Sequence, residues 1–186
     1  NTLYGNTGLL GVYNVTFYAN NSAGETVSVM DYFEAFRGVL VNLNVTNTSI
    51  IGINSTFISY YRNGSVAINS SANGYYVLFL ANTTLDLEFH AYNERVITTT
   101  YNTPVSIISN SYIGMDRHNT TPGDLLSVGI SPNWPVSDGK VKIYYDDITY
   151  GDESKLRLYK CDSYNFTARI CTGSWVDVSA LSTKNT

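Results

Sequence analysis

Leu85-Asp-Leu-Glu-Phe-His-Ala91 is the stretch that decides the fold class. Leu85, Leu87, Phe89 and Ala91 alternate with Asp86, Glu88 and His90, so one side of the segment is apolar and the other polar. A side-chain period of two belongs to a β-strand with one buried face; an amphipathic helix returns its apolar residues every three or four positions. Val39, Val41, Leu43 and Val45 alternate in the same way with Asn42, Asn44 and Thr46. Lys140-Val-Lys-Ile-Tyr-Tyr-Asp146 and Lys155-Leu-Arg-Leu158 follow suit, and no window longer than ten residues keeps a helical repeat. Asn63-Gly64, Asn73-Gly74, Pro122-Gly123 and Asp138-Gly139 supply turn chemistry between the apolar runs. Many short strands separated by frequent turns predict an all-β, antiparallel sandwich architecture.

Composition narrows the class. A chain of 186 residues is long enough to bury a core and suggests one or two domains. Charged residues make up 14%, against roughly 25% in an average soluble domain, while Tyr reaches 16, Asn 20, and Ser plus Thr 39. Such a surface is kept in water by neutral polar groups, or by sugars attached to them. The net charge of −4 comes without a basic stripe, which argues against electrostatic nucleic-acid binding. The longest unbroken apolar run, Tyr75 to Ala81, is far too short to cross a bilayer, so no membrane insertion is expected in this segment. Asn1-Thr-Leu-Tyr-Gly5 has neither the basic start nor the apolar stretch of a signal peptide, and an internal piece of a longer protein is the expectation.

The N-x-S/T count points to a compartment. Asn14, Asn20, Asn44, Asn47, Asn54, Asn63, Asn69, Asn82, Asn119 and Asn165 all qualify as acceptors of N-linked glycan. With Ser and Thr at 39 of 186 positions, chance would give about four such sites among 20 Asn. Alternation places Asn44 on the polar side of its strand and Asn14 opposite Tyr13, Val15 and Phe17; Asn63 and Asn82 fall in turns. Cys161 and Cys171 flank a strand-loop-strand segment containing Asn165. A bridge closing an 11-residue loop would stabilise by roughly 2.5–3 kcal/mol, with two free buried thiols as the alternative. Two Cys and a distant His make no metal set.

The chain also repeats itself. Tyr13-x-Val15-x-Phe17-x-Ala19-Asn20-x-Ser22 matches Tyr75-x-Val77-x-Phe79-x-Ala81-Asn82-x-Thr84, and a glycine (Gly11, Gly74) stands just ahead of each. Tyr13 and Tyr75 or Tyr76 suit the tyrosine corner of Ig-like sandwiches, where a phenol bonds upstream backbone. The stretch from Gly11 to Gly24 resembles the closing hairpin of Ig-like repeats in large archaeal cell-surface glycoproteins, with Asn21 where that pattern often has Asp. Ile143-Tyr-Tyr-Asp-Asp147, Leu156-Arg-Leu-Tyr-Lys160 and Gly173-Ser-Trp-Val-Asp177 are similar to the C-terminal modules of such proteins. The resemblance implies Ig-like modules in tandem. It divides the chain into a remnant hairpin (1–37), a sandwich (38–103) and a C-terminal β module with the cysteine hairpin (104–186).

Catalytic signals are sparse. Asp86, Glu88 and His90 share a strand face, a spacing that can serve glycoside or metal chemistry, but an ordinary solvated face has the same pattern. Asp116-Arg-His118 is a weaker version. Asp146-Asp147 and Asp152-Glu153 bracket a turn and lack the alternating oxygen ligands of a Ca²⁺ loop. No nucleophile elbow, phosphate loop or Cys/His pairing occurs, and the chain has only two His. The expectation is a non-catalytic structural or adhesive segment without cofactor, whose partners are its own N-glycans, neighbouring modules or copies of itself. A carbohydrate-binding module stacking sugars on Trp134 or Trp175 is the second reading. A filament subunit joined by strand addition is the third.

Overall fold

A computed structural model describes residues 11–35, 38–118 and 125–183. The described residues form fifteen strands: β1 (Gly11–Asn20), β2 (Thr26–Ala35), β3 (Gly38–Thr46), β4 (Asn54–Tyr60), β5 (Val66–Asn73), β6 (Tyr75–Ala81), β7 (Thr84–Ala91) and β8 (Val96–Pro104), then β9 (Ser111–His118), β10 (Ser127–Pro132), β11 (Gly139–Ile143), β12 (Tyr159–Cys161), β13 (Tyr164–Asn165), β14 (Ile170–Cys171) and β15 (Trp175–Asp177). Among the described residues there is no α-helix, only three single-turn 3₁₀ segments. The chain is all-β, as the alternation predicts.

Two sheets make the sandwich. One has the order β10-β9-β3-β6 and the other β11-β8-β7-β4-β5. Each strand turns one set of alternating side chains into the space between them: Val41, Leu43 and Val45 from β3; Tyr76, Leu78 and Leu80 from β6; Leu85, Leu87 and Phe89 from β7. Phe57 sits where the layers meet, its ring 5.9 Å from Tyr76 and 5.3 Å from Phe89. The step from β6 to β7 uses only Asn82 and Thr83, and it carries the chain from one sheet to the other. Ladders are antiparallel except one: β3 runs parallel to β9, with Leu43 to Thr46 opposite Ser111 to Gly114.

Tyr76 makes the corner. Its hydroxyl donates to the Ser55 carbonyl at 2.6 Å and lies 2.9 Å from Ser55 Oγ, tying β6 across the core to β4. Gly74 precedes it at φ +74, and a Cβ there would stand 2.4 Å from the Val45 carbonyl. Of the tyrosine pair, Tyr76 is therefore the inward member and Tyr75 the outward one. The residues that match between the two repeats, Tyr75, Val77 and Phe79, line the outer face of β6.

The sandwich runs past the boundary expected at residue 103. β9 and β10 fill one sheet and β11 extends the other, while Ile113, Met115 and Trp134 join the same core. The reason is coverage: β3 and β6 alone would leave much of the five-stranded layer open to water. Among the described residues β1 and β2 pair only with each other, in a two-stranded ladder from Gly11↔Ala35 to Asn20↔Thr26. The Asn21 side chain closes their turn by accepting from the Ala23 and Glu25 amides. Phe17, Tyr18, Val27, Val29 and Met30 lie exposed on this ribbon. The side chains of Tyr13 and Phe33 lie outside the described residues.

Phe57→Ala is expected to lower unfolding stability by about 3–5 kcal/mol, read from urea midpoints. Tyr76→Phe keeps the ring and strips the hydroxyl from the Ser55 carbonyl, so its loss should be about 1–2 kcal/mol. A Tyr76→Phe midpoint equal to that of the parent chain would contradict the role given to the hydroxyl.

Candidate functional site

The described acceptor asparagines all reach the surface. Asn14, Asn20, Asn44, Asn54, Asn63, Asn69, Asn82 and Asn165 are exposed and Asn47 is half-exposed; Asn119 lies outside the described residues. Three hold their own loops through the side-chain oxygen. Asn47 Oδ1 accepts from the Ser49 and Ile51 amides, Asn63 Oδ1 from the Ser65 amide and hydroxyl, and Asn165 Oδ1 from the Ala168 amide. These bonds use the oxygen and leave the amide nitrogen, the atom that accepts sugar, out of the loop contact.

The outer face of the β10-β9-β3-β6 sheet divides in two. Its β9/β10 half is covered by the disulfide-closed loop. Cys161 and Cys171 are bonded, with Cα atoms 5.9 Å apart, and the bridge holds β12 to the β13-β14 ribbon. Phe166 from that loop lies on Gly114, where a Cβ would meet the ring at 2.5 Å, and beside Gly129. Arg169 grips the buried Asp116 with two bonds of 2.8 Å. His118 Nδ1 comes within 2.6 Å of the same carboxylate but makes no aligned hydrogen bond. Burial, then the nearby Asp116 charge, pushes the Tyr92 and Tyr164 phenols above their ordinary values.

The β3/β6 half carries exposed apolar side chains. Antiparallel register sets Asn44 opposite Tyr75, Asn42 opposite Val77, Leu40 opposite Phe79 and Gly38 opposite Ala81. Parallel register sets Asn44 opposite Tyr112 on its other side. Tyr75 is 58% exposed, Val77 55% and Tyr112 48%. Phe79 bends over Gly38, where a Cβ would meet its ring at 2.3 Å.

The two tryptophans part company. Trp134 is 4% exposed, its ring 6.1 Å from Phe89, so it plugs the sandwich and cannot offer a face to a sugar. It follows Asn133, whose side chain accepts the Tyr112 amide, and that anchored loop turns the indole inward. Trp175 is 55% exposed on the short β12-β15 ribbon.

The polar clusters serve the fold. On the outer face of β7, Glu88 accepts from His90 Nε2 at 2.7 Å, with Thr99 at 3.3 Å and Tyr60 at 3.4 Å. Burial alone would raise the Glu88 carboxyl, but the His90 hydrogen bond and charge, with Thr99 and Lys142, hold it below its ordinary value. Asp86 is elsewhere occupied, accepting the Asn102 amide. A shallow open cleft beside His90 is lined by Thr56, Ser71, Asn93 and Glu94. Asp146 and Asp147 form no acidic cation site: Arg95 contacts both, and Arg117 reaches Asp147 at 2.6 Å. Asp152 caps the Ser154 amide and Glu153 takes the Tyr145 hydroxyl at 2.5 Å, which pushes that phenol up to about 12. Asp162 lies beside Cys161 and Cys171, whose bonded sulfurs lack the thiolate charge a metal requires. Among the described residues no helix is long and apolar enough to cross a membrane.

Compared with protein-family models, curated proteins and solved structures, the chain has no match.

Arg169→Ala leaves Asp116 buried without its guanidinium. Arg169 is itself part-exposed, so the expected loss is toward the low end for a broken buried pair, about 2–3 kcal/mol by urea unfolding. An unchanged midpoint would mean the loop is not docked. Glu88 gives a pH test. Its lowered carboxyl contributes stability that is complete above the ordinary value of 4.5 and is lost as pH falls through the lowered one. Glu88→Gln should therefore lose less stability than the parent chain between pH 7 and pH 3; an identical loss would remove Glu88 from the account.

Proposed function

We propose that this chain is a non-catalytic, extracellular structural or adhesive segment of an N-glycosylated cell-surface protein, of the kind its repeat pattern resembles in archaeal surface glycoproteins. The observation that carries this reading is the number of acceptor asparagines, ten where composition gives about four. None of the nine described sites is buried, so each is open to a sugar. The bonded cysteines are compatible with an oxidising compartment. Glu88, His90, Asp116 and Asp147 are held in ion pairs, and Arg169 of the disulfide loop pairs with the buried Asp116 on the sheet face.

One observation favours a second reading. The β1-β2 ribbon exposes Phe17, Val27, Val29 and Met30, and an isolated two-stranded ribbon is marginal in water. A neighbouring module or a second copy that docks or adds a strand would cover it, as in filaments joined by strand exchange.

Intact mass of the protein purified from its native source tests the main reading. It should exceed the 20.6 kDa of the bare chain and fall toward it on deglycosylation. A native mass equal to that of the bare chain would end the glycoprotein reading.

A further inference from the structure

Asn44 differs from the other acceptor sites in its setting. It projects from β3, an inner strand of the four-stranded sheet, whereas Asn14 lies on the two-stranded ribbon, Asn69 on the edge strand β5, and the other described sites in turns or at strand ends. Its direct neighbours across both ladders are tyrosines, Tyr75 on β6 and Tyr112 on β9. Residues opposite one another in adjacent strands share a face, so Asn44 stands in a row between Tyr75 and Tyr112. All three side chains are exposed. Val77, diagonal to Asn44 on β6, continues the apolar surface.

We infer that the glycan carried by Asn44 lies down on Tyr75 and Tyr112, so that its first sugars form part of the outer layer of this sheet. The inference rests on the glycoprotein reading above. A pyranose ring carries hydroxyls around its rim and C–H groups on its faces; a tyrosine offers an apolar face with its own hydroxyl at the edge. Stacking the two removes apolar surface from water on both partners and leaves both sets of hydroxyls wet. The same sugar also excludes the competing cover. A second sheet must approach to about 10 Å, and a hydrated branched substituent in the middle of the face prevents that. β6 is also a sheet edge, with Asn82 just past its end, so sugars at Asn44 and Asn82 would stand at both ends of an otherwise open strand.

The test uses the full chain made in a host that glycosylates it. Site occupancy is read from glycopeptide masses, and the attached sugar from its proton NMR shifts. With Asn44 occupied, C–H protons of its first sugars should be moved upfield by the tyrosine rings, and Tyr75→Ser with Tyr112→Ser should return them to ordinary positions. Asn44→Gln should lower the thermal midpoint by about 2–4 °C, while Asn69→Gln, which removes a glycan from the exposed edge strand β5, should leave it unchanged. An occupied Asn44 with unshifted sugar protons overturns the inference and leaves the glycoprotein reading standing. So does a bare Asn44 in a chain whose other sites carry sugar. A concentration-dependent dimer abolished by Tyr75→Ser would assign the face to a second copy and overturn it as well. If every site is bare, the glycoprotein reading falls first and takes this inference with it.

Discussion

Phe57, Tyr76 and Phe89 meet between the two sheets, and the rest of the molecule depends on that meeting. Their rings lock β4, β6 and β7 at a fixed spacing, and the Tyr76 hydroxyl spends its one donor on the Ser55 carbonyl. Once the inner faces are set, the period of two leaves no freedom outside. A strand that turns Tyr76, Leu78 and Leu80 inward must turn Tyr75, Val77 and Phe79 outward, whatever their polarity. The surface of this protein is thus a consequence of its core.

The outer face of the β10-β9-β3-β6 sheet shows two responses to the apolar surface so produced. At β9 and β10 the chain covers its own face. Gly114 and Gly129 clear space for Phe166, Asp116 anchors Arg169, and the disulfide limits how far the covering loop can swell away. At β3 and β6 an acceptor asparagine stands between two exposed tyrosines. Glycines mark the first solution and polar amides the second.

Much of this is legible in the sequence, for a physical reason. Alternation reports burial directly, so the inward sets of β3 and β7 and the outward position of Asn44 can be read before any coordinates. The cysteine pairing is equally local. What escaped is long-range. Nothing in the residues around 103 says that β9 returns to lie parallel beside β3, since parallel pairing leaves no turn signature between its strands. Trp134 reads as a candidate for stacking sugars, and only the fold of its loop turns it inward. Two adjacent tyrosines likewise give no indication of which will face in; the Gly74 turn decides for Tyr76. Asp116 and Arg169 lie 53 positions apart, and no spacing rule joins them.

If one core orders everything outside it, the strands after residue 103 must open with those before it. Native-state hydrogen exchange, followed residue by residue with added denaturant, measures this. Amides of Ile113 and Met115 in β9 should exchange only through the global unfolding that exposes Leu43 in β3 and Phe89 in β7. Exchange of β9 through a separate opening of much lower free energy, with β3 and β7 still protected, would contradict a single sandwich.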